Sequence, residues 1–114
     1  MNNLAYSQQI YLQFDTSQQL NSLAERLDHI TTICNGANDL SSVVELIRES
    51  QYFIEWTAPN LSIDDAAILV DLGRILATWK YQWTEISSNP ASILEVHDLA
   101  QNWHKRICTE FSTK

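Results

Sequence analysis

The stretch "TWKYQW", Thr78 to Trp83, places two of the chain's four tryptophans and one of its four tyrosines within six residues. It reads either as an aromatic platform for a ligand or as the inside of a fold. Extending it in both directions decides the matter. Leu69, Leu72, Leu76, Trp79, Trp83 and Ile86 recur in alternating steps of three and four, the repeat that holds side chains on one helical seam. Trp79 and Trp83 then belong to a core, while Lys80 and Tyr81 turn outward. Ser62 is the expected cap of this helix, with Asp64 and Asp65 in the first turn, where the helix dipole favours negative charge.

Three more helices follow from similar punctuation. In "DTSQQL", Thr16 and Gln19 have capping-box spacing, and Leu20, Leu23, Leu27, Ile30 and Cys34 carry the apolar stripe to "NGAND". There Gly36 is expected to take the left-handed conformation that ends a helix. Ser42 and Glu45 are again spaced as a capping box, and Pro59 stops the second helix near Trp56 or Thr57. "NPAS" opens the last, with Asn89 as cap and Pro90 at the first helical position. The expected helices span 16–35, 40–57, 63–87 and 90–111. Short connections favour antiparallel neighbours, hence an all-α, up-down-up-down four-helix bundle over residues 16–114. Residues 1–15 form an arm of ambiguous periodicity: Ile10, Leu12 and Phe14 alternate like a strand, whereas Ile10, Tyr11 and Phe14 suit a helical face.

The composition fits a bundle of this kind. At 114 residues the chain is one domain in length, and two glycines and two prolines are few for a sheet with many turns. The net charge is −7, and the seven Lys and Arg are scattered. No basic stripe follows a phosphate backbone or an anionic membrane, so neither nucleic acid nor membrane is an expected partner. The N-terminal residues lack the pattern of a secretory signal, and the expected location is cytoplasmic.

No chemistry-bearing motif stands out. Cys34 and Cys108 fall at opposite ends of the expected bundle, beyond the roughly 7 Å between bridged Cα atoms, and are expected to stay reduced. His97 and His104 share a face of the last helix, His29 points outward beside Glu25, and no Glu-x-x-His step is present to build a bundle metal site. Neither a metal nor a cofactor is expected. Phosphate-loop, nucleotide-binding and nucleophile-elbow sequences are absent. Asp64 and Asp65 read as dipole partners, and Asp71 with Arg74 as an exposed helical pair.

The surplus is apolar and aromatic. Tyr6, Tyr11, Tyr52, Trp56 and Tyr81 exceed what one core seam needs, and edge aromatics of a bundle suit protein partners. The leading expectation is a non-catalytic protein-interaction or regulatory module, with a possible homodimer and an otherwise unidentified protein partner. The alternative is a small enzyme or ligand-binding bundle with a site between helices near His97, His104 and Trp103. One register follows from the hairpin at Ser88 and Asn89. Counting outward sets Trp103 opposite residues 73 to 75, so Trp103 is expected over Gly73 and Gly73→Ala is expected to destabilise.

Overall fold

A computed structural model describes the backbone of residues 3–36 and 39–111, and the side chains from residue 8 onward within those ranges. Five helices follow one another: α1 Asn3–Gln13, α2 Thr16–Gly36, α3 Ser42–Thr57, α4 Ile63–Ile86 and α5 Pro90–Glu110. A single 3-10 turn, Ala58–Asn60, links α3 to α4, and no strand occurs among the described residues. The fold is all-α, with four long helices as the sequence pattern implies. The ambiguous arm is helical over Asn3–Gln13.

Cross-contacts give the directions. Arg26 of α2 meets Glu49 of α3, and Gln19 reaches Asn60 just beyond α3, so these two helices run antiparallel. Ile54 faces Gly73, while Leu40, just before α3, accepts a bond from Trp83, so α3 and α4 are antiparallel as well. His104, late in α5, reaches Ala24, early in α2, and closes an up-down-up-down order. The shortest dimension, 20 Å, is two helix diameters. Within this slab α5 packs most extensively on α2, whereas α4 and α5 share the slightest contact of the four neighbouring pairs.

That divergence corrects the hairpin register. The space beside Gly73 is filled by Ile54, not Trp103: a Cβ built on Gly73 would lie 3.9 Å from Ile54 Cδ1 and 4.0 Å from Cγ2. Both are ordinary van der Waals distances, so the glycine is not required by crowding.

The α4 stripe forms the core as its spacing dictates. Leu69, Leu72 and Leu76 are fully buried, Trp79 and Trp83 nearly so, and Tyr81 stands 91% exposed. The Trp83 indole donates to the Leu40 carbonyl at 2.9 Å. A buried N–H thus finds its acceptor, and the connection into α3 is pinned against α4. Leu23, Leu27 and Ile30 from α2, Ile47 from α3 and Ile107 from α5 extend the apolar interior. Two buried hydroxyls are satisfied locally: Thr31 and Ser50 donate to the carbonyls of Leu27 and Leu46, four residues back.

The caps differ in part from the sequence expectation. Ser62 accepts from the Asp65 amide and Asn89 from the Ala91 amide, as expected. At the start of α2 the reciprocal pair is Asp15 and Gln18, not Thr16 and Gln19: the Gln18 amide donates to Asp15 Oδ1 and the Asp15 amide to Gln18 Oε1. Ser42 donates to the Asp39 carbonyl, and Glu45 pairs with Arg48, so those two form no capping box. Among the described residues the left-handed position in the α2–α3 connection is Asp39, φ 56°, rather than Gly36. A short side chain that hydrogen-bonds locally tolerates that region.

Candidate functional site

Three of the five expected partner residues, Tyr11, Tyr52 and Trp56, meet at the junction of α1 and α3. Tyr11 is the pivot. It is 2% exposed, and its ring stacks on Phe53 with centroids 4.3 Å apart and planes 16° apart. Its hydroxyl lies 2.8 Å from the Gln19 carbonyl and 2.6 Å from Thr57 Oγ1. A carbonyl only accepts, so the tyrosine proton goes to Gln19 and the Thr57 hydroxyl donates to the tyrosine oxygen. Gln19, 2% exposed, returns the contact: its Nε2 donates to the Tyr11 carbonyl at 3.1 Å, and its Oε1 accepts from Asn60 at 3.3 Å. Burial raises the Tyr11 hydroxyl pKa above its ordinary value, and the Thr57 bond only partly opposes this. The group stays neutral and donates.

An aromatic band spreads outward from this pivot. Trp56 packs tilted on Tyr11 at 5.5 Å and stacks on Tyr52 at 5.6 Å, while Phe14 approaches Tyr11 from the end of α1 at 6.2 Å. Two guanidinium groups cover ring faces, Arg26 over Phe53 and Arg48 over Tyr52, each at 5.5 Å, where the ring quadrupole attracts a cation. Arg26 Nε also lies 3.1 Å from Glu49 Oε1, close enough for an ion pair but without hydrogen-bond geometry. Tyr52 and Trp56 are half-buried, and Phe14, Ile10 and Leu12 are exposed at 36%, 39% and 51%.

The structure therefore unites Tyr52 and Trp56 on one surface and draws Tyr11 into the core beneath them. Tyr81 stands apart, about 12 Å along α4 from the level of Gly73. The Tyr6 side chain lies outside the described residues. Sequence reasoning has Ile10, Leu12 and Phe14 in an arm whose apolar groups need cover from the bundle or a second subunit, and it did not single out Arg48 as part of this band. The spacing of Arg48, Tyr52 and Trp56 by fours was the signal available for the α3 ridge.

None of the residues of the alternative reading, His97, Trp103 and His104, lines either of the two described clefts, although His104 bonds to Ala24 and Cys108, which line one of them. His97 Nδ1 lies 3.0 Å from the exposed Asp98, and Trp103 is buried with Arg106 stacked 4.8 Å over its ring. His104 turns to the Ala24 carbonyl. Arg106 also pairs with Glu110, whereas Glu25–His29 and Asp71–Arg74 form no ion pair. Cys34 and Cys108 are both thiols. Among the described residues no three His, Cys, Asp or Glu side chains group as metal ligands, and no helix is long and apolar enough to cross a membrane.

Comparison with protein-family models, with curated proteins and with solved structures gives no match. The functional reading rests on the chain's own residues.

Proposed function

We propose that this chain is a non-catalytic protein-interaction or regulatory module that self-associates through the aromatic band of α1 and α3. One observation supports this most: among the described side chains of α1 Tyr11 is the deeply buried one, while Ile10, Leu12 and Phe14 around it remain exposed. Phe14, just past the end of α1, packs on Tyr11, against which half-buried Trp56 also packs, and Tyr52 stacks on Trp56. Tyrosine, tryptophan and arginine are the side chains enriched where protein interfaces bind most strongly. The band is offered to the outside, since Tyr52 and Trp56 are half-buried and Phe14 is exposed.

A two-fold contact would lay the exposed Ile10, Leu12 and Phe14 of one copy on the band of the other, giving each the cover it lacks. Tyr6 belongs to the same helix, and Tyr81 offers a separate aromatic contact on α4. A photoreactive phenylalanine analogue at Leu12 tests the arrangement. Illumination of the full-length chain is expected to give a covalent dimer whose cross-link maps to α1 or α3 of the second copy. Cross-links confined to α4 or α5, or none, count against it.

A further inference from the structure

His104 and Cys108 lie one turn apart on α5, and the interaction reading uses neither. His104 Nδ1 is 2.8 Å from the backbone oxygen of Ala24 on α2. That oxygen can only accept, so Nδ1 carries the proton, and Nε2 of the neutral ring is left as an acceptor. Nε2 faces Cys108 Sγ at 3.9 Å, within reach of a thiol donor. The bond to α2 thus fixes both the tautomer and the orientation in which the imidazole meets the thiol. This is the relation of base, orienting group and nucleophile that activates a thiol.

Cys108 also has access. It is half-buried and lines an open cleft of about 290 Å³ between the start of α2 and the end of α5. Apolar Leu20, Ala24 and Ile107 line the cleft with polar Gln18 and Asn21. Its volume is near the lower end of small-ligand sites, about 300–1,000 Å³. Cys34 is the contrast within the same chain. It is 6% exposed, has no such imidazole, and its pKa is pushed up to about 11 by burial.

We propose that Cys108 is a reversible modification site, at which His104 takes the thiol proton and the sulfur exchanges with a small-molecule disulfide admitted by the cleft. The proton moves from Sγ to His104 Nε2, and the thiolate attacks one sulfur of the disulfide. A new S–S bond forms as the old one breaks. The departing thiolate leaves with the electron pair and takes the proton back from the imidazolium. One thiol and one disulfide give one mixed disulfide and one thiol, with no other oxidant.

The adduct cannot be resolved within the chain. Cys34, the other cysteine, lies ten residues beyond Ala24 on α2, about 15 Å along the axis. That exceeds the roughly 7 Å limit between bridged Cα atoms. Removal requires an external thiol.

The test uses bis(hydroxyethyl) disulfide, a small uncharged probe on which the net charge of −7 exerts no attraction. Full-length Cys34→Ala protein is followed by intact mass at neutral pH, folded and in urea. An ordinary thiol is only a few per cent ionised at pH 7, so assistance can accelerate the reaction at most about thirtyfold. Folded protein is expected to react about tenfold faster than the unfolded chain. His104→Asn puts an amide where Nδ1 stands, keeping the bond to Ala24 without the base, and is expected to bring the rate down to the unfolded level. In the chain with both cysteines the adduct should map to Cys108. A folded rate at or below the unfolded one overturns the proposal, whether or not the variant folds. So does an unchanged rate in folded His104→Asn, or an adduct on Cys34.

Discussion

Tyr11→Phe removes one oxygen from the middle of the α1–α3 junction and leaves the ring stack on Phe53 in place. Two short buried hydrogen bonds disappear, to the Gln19 carbonyl and from the Thr57 hydroxyl, together with a weak 3.4 Å contact to the Phe53 carbonyl. At about 1 kcal/mol net for each short bond, the loss is about 2 kcal/mol. It is smaller if Thr57, fully buried, turns its hydroxyl back onto the Phe53 carbonyl as Thr31 and Ser50 do on theirs. The expected range is therefore about 1–2 kcal/mol, or roughly 4–8 °C in Tm for a domain of this size. Tyr11→Ala also loses the buried ring and should cost about 3–5 kcal/mol. Urea unfolding followed by circular dichroism gives both values. A double-mutant cycle with Thr57→Val should return a coupling near 1 kcal/mol. Amide exchange should show α1 losing protection in Tyr11→Ala while α4 retains it. A neutral Tyr11→Phe, or α1 amides equally protected in Tyr11→Ala, would refute the idea that this tyrosine holds the helix.

Other expectations follow from single contacts. Gly73→Ala should raise stability by about 0.5–1 kcal/mol, because the new methyl meets Ile54 at ordinary distance and helix propensity improves. A lowered Tm would show that the site is tighter than 3.9 Å implies. Asp15→Ala should cost about 1 kcal/mol at the start of α2, and Thr16→Ala much less, since Asp15 makes the cap. Alkaline pH should destabilise the protein: the folded state holds Cys34 protonated to about 11 against 9.0 for a free thiol. Stability from this group is complete below pH 9 and is lost as pH rises toward 11, by at most about 2–3 kcal/mol. Cys34→Ala should flatten that fall between pH 9 and 10, below the range where Tyr11 contributes, and an unchanged slope there contradicts the assignment.

The fold was legible where one local pattern had one reading. Six apolar residues at strict three-four spacing could only be a buried seam, and Trp79 and Trp83 lie on it while Tyr81 does not. Asn89 followed by Pro90 likewise admits little but a helix start. The α2 cap was ambiguous because "DTSQQL" contains two overlapping boxes, Asp15 with Gln18 and Thr16 with Gln19. The choice is tertiary: Tyr11 and Asn60 draw Gln19 into the interior and leave Gln18 to the cap. The Trp103–Gly73 register failed for a related reason. Counting outward from a turn assumes that two helices stay side by side, and the large contact of α5 with α2 diverts it from α4. Of the candidate site, the α3 residues Tyr52 and Trp56 could be read from spacing. That Tyr11 would be inside and Phe14 outside depends on how α1 meets α3, which periodicity in an eleven-residue helix does not encode.

Sedimentation equilibrium of the full-length chain, beside an Ile10→Ser/Phe14→Ser variant, tests the proposed self-association most directly. Both substitutions fall on exposed positions and leave the Tyr11 hydrogen bonds in place; Phe14→Ser removes one ring contact to Tyr11, so circular dichroism of the variant checks that it remains folded. Wild-type protein should show an apparent mass rising with concentration from 13.1 kDa toward twice that value, and the variant should remain at the monomer mass. Wild-type protein that stays at 13.1 kDa over the whole accessible range, or a variant that associates equally well, would contradict an interface at the α1–α3 band.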